Sequence, residues 1–142
     1  MPRRDSHRSK VYAAEDTCKP LLYISTFTLP HAQRWVNKWR MSKWSRKIWS
    51  ADVRRPIPVT ANENPDDINS WADDDGIVLS HKAMNLPYML IHELAHVIVR
   101  RIDPEAAGHG PEFLVVLKVL IGHYIGTKAV RAFEKNLALR GL

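Results

Sequence analysis

The sequence predicts an α+β fold in which a small β-sheet packs on helices, and three observations predict it. The stretch from Leu86 to Ile102 keeps apolar residues on nearly every side of a few polar ones, which reads as a buried helix. Two short segments, Ile57–Ala61 and Ile77–Ser80, follow a proline break and an Asp-Gly pair respectively, as strands do. Two others, running from Thr28 and from Thr127, carry apolar residues at helical spacing behind a residue that favours helix starts. At 142 residues, with 45% hydrophobic and 25% charged content, the chain suits one domain, 1–142, with one sizeable core.

In chain order, residues 1–5 read as a flexible basic arm, after which Asp5 or Ser6 caps a helix to about Asp16 that packs through Val11, Tyr12 and Ala14. Leu21 to Thr28 alternates loosely and suits a strand. Thr28 and Pro30 announce a helix to about Lys43, with Trp35, Val36 and Trp39 as its apolar stripe. Lys47–Ala51 and Ile57–Ala61 read as strands separated by Arg54-Arg55-Pro56. Residues 62–75 hold Glu63, Asp66, Asp67, Asp73, Asp74 and Asp75 with no Lys or Arg, so they form a solvated acidic loop or a calcium-binding one. Asp75-Gly76 turns the chain into Ile77–Ser80. The long helix should end near Arg100-Arg101-Ile102, because cations favour a helix C-terminus and Pro104 stops continuation. Phe113–Ile121 reads as a buried helix. Thr127 caps a last one through Val130, Phe133 and Leu137, with Gly141 beyond its end.

The long helix carries His92-Glu93-Leu94-Ala95-His96. Residues four apart share a helix face, so both imidazoles can aim at one cation while Glu93 stands beside them. Two buried imidazoles and a carboxylate with no shared ion must each find other partners or bear desolvation, whereas one metal ion and its water satisfy all three. Zn²⁺ suits such nitrogens, and a carboxylate next to the ligands can take a proton from water. The predicted cofactor is therefore Zn²⁺, with His92 and His96 as ligands and Glu93 as catalytic base.

A third ligand is needed, and Gly108-His109-Gly110-Pro111-Glu112-Phe113 offers one. Gly108 and Gly110 permit tight backbone geometry around His109, and Pro111 suits the first position of the next helix. Glu105 and Glu112 compete for the same role. The two motifs together, over roughly residues 85–121, resemble the SprT-like zincin metalloproteases. Arg3 to Glu15 resembles the start of a family of small bacterial and phage-borne proteins assigned as metallohydrolases. The resemblance implies a minimal zincin-like fold, a zinc site completed by His109, and peptide-bond hydrolysis, with no particular substrate. Val99 stands where metzincins carry glycine, so the chain is not of that group. Zincins commonly receive an extended substrate on the strand before the active helix, which here is Gly76-Ile77-Val78-Leu79-Ser80; an ordinary core strand fits those residues equally.

The formal charge of +6 and a pI near 9.7 suit an acidic partner. Cations crowd residues 34–55, interleaved with Trp35, Trp39, Trp44 and Trp49, so nucleic acid is one predicted partner, with Arg54 and Arg55 as contacts. Tryptophans inward and cations outward explain the same pattern. The lone Cys18 forbids an intrachain disulfide, and neither a membrane span nor a secretion signal is legible, which predicts a cytoplasmic protein. Two functions follow: a zinc metallohydrolase acting on a peptide or protein, or a binding module that zinc merely staples, engaging nucleic acid or a protein through its basic face.

Overall fold

A computed structural model of the chain describes residues 7–16, 28–81 and 86–142. The expected basic arm and residues 21–27 of the strand expected over Leu21 to Thr28 lie outside the described residues, and the cap of the first helix is His7, where Asp5 or Ser6 was expected. Among the described residues six helices and a three-stranded sheet make the fold α+β: α1 (Arg8–Glu15), α2 (Leu29–Met41), α3 (Lys43–Ile48), β1 (Val59–Ala61), β2 (Trp71–Ala72), β3 (Ile77–Leu79), α4 (Leu86–Ile102), α5 (Pro111–Tyr124) and α6 (Thr127–Leu139). They fall into two compact units, one holding α1, α5 and α6 with the loop from Glu105, the other holding α2, α3, α4 and the sheet.

In the second unit, α2 starts at a reciprocal cap. The Thr28 hydroxyl accepts from the His31 backbone N–H, and the His31 ring accepts from the Thr28 backbone N–H, while Pro30 occupies the first turn. Its buried stripe is Ala32, Val36 and Trp39, with Trp35 only half-buried. Residues 43–48 form a helix where a strand over Lys47–Ala51 was expected. Ser42 explains the difference, because it ends α2 and also caps α3, its side chain accepting from Ser45 N–H at 3.1 Å. Trp49, the C-cap, turns inward against Trp39, ring centroids 5.5 Å apart.

The sheet order is β1-β3-β2, β1 parallel and β2 antiparallel to β3. Strand β2 was not legible, since Trp71–Ala72 sits inside the stretch expected to be loop. Gln33 of α2 completes the edge of β1, its amide donating to Ile57 C=O at 3.0 Å and accepting Val59 N–H at 2.8 Å. Where β1 and β3 begin, Ile77 N–H donates to Pro58 C=O at 2.9 Å, and a Cβ on Gly76 would stand 2.7 Å from that oxygen. Gly76→Ala should therefore lower stability by about 1–3 kcal/mol, the usual range for forced overpacking. A thermal melt reads this as a lower midpoint, and an unchanged midpoint would show that the junction yields without cost.

The acidic loop is ordered by its own side chains. Asn62, Asn64, Asp67 and Asp73 each accept backbone N–H groups two residues on, at 2.8–3.0 Å. The Asn69 backbone N–H above all, with the side chains of Asn62 and Asn69, holds the Asp67 carboxyl below its usual range. Asp73 Oδ1 also accepts Gly76 N–H at 3.1 Å, which closes the turn into β3.

Helix α4 packs against α2, β2 and β3. Leu90, Ile91, Leu94, Ala95, Val97 and Ile98 are all at most 1% exposed, and burying each larger one contributes roughly 1.5–3 kcal/mol. Ile102, at the helix end, is exposed instead. The preceding Arg101 is half-buried and spreads its guanidinium over four backbone carbonyls: Val53 at 3.0 Å, Arg55 at 2.7 Å, Pro56 at 3.0 Å and Asp74 at 2.9 Å. Burial lowers its pKa, and so do the neighbouring charges of Arg55 and Arg40.

In the other unit α6 packs on α1 and α5. Val11 and Ala14 of α1 are buried as expected, and so is Glu15, whereas Tyr12 keeps 37% exposure. The cap of α6 is Gly126 rather than Thr127, in a φ of +126° that favours glycine, and Thr127 is simply its first residue. Ala129, Phe133 and Leu137 make its buried face, and Gly141 at φ +79° follows its end.

Candidate metal centre

Helix α4 presents His92, Glu93 and His96 because its apolar residues fill the neighbouring positions on both sides. His92 and Glu93 are 2% and 3% exposed, and His96 is half-buried. The Nε2 atoms of His92 and His96 lie 3.1 Å apart, with the ring planes inclined at 72°. Two nitrogens bound to one tetrahedral Zn²⁺ at about 2.0–2.1 Å stand roughly 3.3–3.4 Å from each other. The observed spacing is close to that, and it is reached by the i,i+4 placement alone.

After α4 the chain turns through Asp103, whose N–H donates to Val99 C=O at 2.8 Å, and reaches His109. That imidazole is 5% exposed and lies between aromatic rings, 5.2 Å from Tyr12 and 5.0 Å from Phe113 between centroids. Gly110 caps α5 in ordinary extended backbone, φ −80°, so it supplies closeness rather than a left-handed turn. A Cβ there would sit 3.1 Å from the Ala107 Cβ. Pro111 takes the first helical position, as its missing N–H allows.

His92, His96 and His109 each offer a nitrogen, and these atoms all lie within 4.8 Å of one another, so the three histidines could hold a metal ion. Glu105, exposed, and Glu112, half-buried in the first turn of α5, do not belong to the group. Comparison of the chain with models of known protein families, with curated proteins and with solved structures gives no match. The centre is therefore read from its own donors. Three imidazoles suit a borderline transition-metal cation better than Mg²⁺ or Ca²⁺, which take oxygen ligands.

Three segments that the sequence left open between two readings lie around the centre or on the basic stretch. For Gly76–Ser80 the sequence left an edge strand open to an extended substrate and an ordinary core strand equally open, and β3 is the central strand, with β1 on one side and β2 on the other. Ser80 is also engaged, its N–H donating to Ser70 Oγ at 2.8 Å and its hydroxyl to Asp67 C=O at 2.7 Å. Arg54 was one candidate phosphate contact, with an ordinary outward-facing cation as the other reading; its guanidinium donates to Trp49 C=O and Arg40 C=O, both at 3.1 Å. Arg55 pairs with Asp52, 3.4 Å from its carboxylate. The Asp73, Asp74 and Asp75 carboxylates do converge, but all three are exposed and Asp73 shapes the turn.

Of the tyrosines near the motif in sequence, Tyr88 is 1% exposed in α4, one turn before His92. Burial pushes the Tyr124 hydroxyl up to about 12. His123 is exposed, with its ring 4.8 Å from Tyr124. None of these belongs to the histidine group. Sequence reasoning missed the packing of Tyr12 on His109, and only the helical face shared by Val11, Tyr12 and Ala14 hinted at it. Among the described residues no helix is long and apolar enough to cross a membrane.

Proposed function

We propose that this chain is a zinc metallohydrolase, a peptidase of the SprT-like zincin kind, in which His92, His96 and His109 hold the ion and Glu93 is the general base. The observation that carries the reading is the burial of Glu93, 3% exposed, one residue from a histidine whose Nε2 meets that of His96 at 3.1 Å. A structural zinc site is closed by its ligands and has no use for a further buried carboxylate beside them. Bound Zn²⁺ would supply Lewis-acid polarisation of a carbonyl and bring the pKa of water down to about 7.

The protein's own part is proton handling and orientation. Glu93 takes a proton from the attacking water as its oxygen bonds to the peptide carbonyl carbon. The same carboxyl then returns that proton to the departing amine nitrogen as the C–N bond breaks. Tyr12 and Phe113 fix the ring of His109 from two sides, and the apolar wall of α4 keeps bulk water from Glu93.

The test is digestion of an unbiased peptide library, with termini read by mass spectrometry. New termini are expected with zinc-loaded protein, none after chelation, and recovery when zinc is restored. Absence of cleavage by zinc-loaded protein across the library would sink the peptidase reading.

A further inference from the structure

The second concentration of chemistry in this molecule is positive charge, and it lies on elements that contribute nothing to the histidine group. No Asp or Glu occurs anywhere from Thr17 to Ala51, while Arg34, Lys38, Arg40, Lys43, Arg46 and Lys47 all fall in that span. Of these, Arg34, Lys38, Lys43, Arg46 and Lys47 are exposed, and none makes an ion pair among the described residues. Arg34 and Lys38 are one turn apart on α2, away from the buried Val36 and Trp39; the other three project from α3.

Behind them stands a layer of arginines whose charge is compensated mostly by dipoles. Arg40 Nε donates to Arg54 C=O at 2.8 Å while Arg54 donates back to Arg40 C=O, and Arg101 is held by four carbonyls. Among the described residues the carboxylate paired with this layer is Asp52, at 3.4 Å from Arg55. Carbonyl oxygens satisfy the N–H groups without cancelling the net charge, so the layer adds to the field that the exposed cations present.

We propose that the outer face of α2 and α3 docks the phosphate backbone of nucleic acid, through Lys43, Arg46 and Lys47 with Arg34 and Lys38 beside them, and with no base preference. Arg54 and Arg101 are the frame of this surface and not its contacts. An anionic bilayer fits the same charge less well. Binding in a membrane interface needs a helix with a continuous apolar face turned outward. Here Val36, Trp39 and Trp49 are turned inward, α3 has six residues, and the large exposed apolar side chains of the two helices are Leu29, Met41 and Ile48, which form no continuous face.

The experiment measures binding of the full chain to labelled single- and double-stranded DNA by fluorescence anisotropy, and to phosphatidylcholine vesicles with and without phosphatidylserine. Three proteins are compared: the parent, the triple variant Lys43→Ser, Arg46→Ser, Lys47→Ser, and a charge-matched variant Lys128→Ser, Arg131→Ser, Lys135→Ser on the exposed face of α6. All six positions are exposed, so folding should survive, and circular dichroism verifies it. The α3 variant should bind DNA at least about tenfold more weakly at roughly 50 mM salt, with a slope of log affinity against log salt shallower by about two to three. The α6 variant should stay near the parent. Equal losses in both variants would show a non-local effect of net charge and overturn the assignment. So would parental binding by the α3 variant, no DNA binding by the parent at that salt, or binding to anionic vesicles alone.

Discussion

Glu93→Gln is expected to abolish hydrolysis while leaving metal content and stability close to parental. Glutamine keeps the size and shape of the side chain, so the packing around position 93, which is 3% exposed, has nothing to repair. What it removes is the proton acceptor, and loss of a general base lowers turnover by roughly 10²–10⁴-fold. Turnover of a cleaved peptide, zinc per chain and the melting midpoint should be measured on one preparation. Retained zinc with lost turnover is the signature of a catalytic carboxylate. If the variant cleaved as fast as the parent, Glu93 would have no chemical role, and a zinc-stapled binding module would become the better account of the same histidines.

The second large effect concerns the ion itself. His92→Ala should weaken zinc binding by well over the roughly 10–100-fold that follows loss of an outer hydrogen-bond partner, because it removes a donor and not merely its orientation. Stability gives an independent readout. A ligand that binds only the folded chain stabilises it by about 4.1 kcal/mol at a free concentration a thousand times its dissociation constant. Added zinc should thus raise the parent's melting midpoint and barely move that of His92→Ala. His109→Ala should behave alike, and Glu112→Ala should titrate as the parent does. Damage from Glu112→Ala in place of His109→Ala would make the third ligand a carboxylate. A parent chain that neither contains a transition metal nor takes one up would remove the basis for both expectations.

The parts of the fold legible in the sequence were those where one local signal decides the backbone. Helix α4 is saturated with apolar residues, Thr28 and Pro30 mark the start of α2, and Pro111 marks that of α5. The two histidines of α4 come together for the same reason, since helical spacing alone brings their Nε2 atoms to 3.1 Å. The errors fall where a residue has two uses or a strand depends on a distant partner. Ser42 both ends one helix and caps another, and with that second start unread Lys47–Ala51 looked like a strand. Trp71–Ala72 is a strand only because β3 offers it an antiparallel partner, and nothing within two residues reports that. The same gap left Gly76–Ser80 open between edge and core: a sequence shows that a strand is present but not whether it lies at an edge. The engagement of Arg54 was not legible because carbonyl acceptors, unlike carboxylates, carry no mark in a sequence.

Arg101 closes the turn of α4 that follows the histidines, and its four acceptors come from the segment before β1 and from the hairpin between β2 and β3. Helix ends ordinarily fray, because the last turn can unwind without disturbing anything else. This one cannot unwind alone, since releasing it leaves four carbonyls to find water and withdraws the support of two loops at once. The end of α4 nearest the arginine layer thus opens only as part of a larger cooperative event, which leaves thermal fraying no easy route along the helix toward His96. Lysine at position 101 would keep the charge but replace a planar fork of five donors with three on a single nitrogen. The rigidity of the helix is in this sense a property of guanidinium geometry, set several residues away from the atoms that would meet a metal.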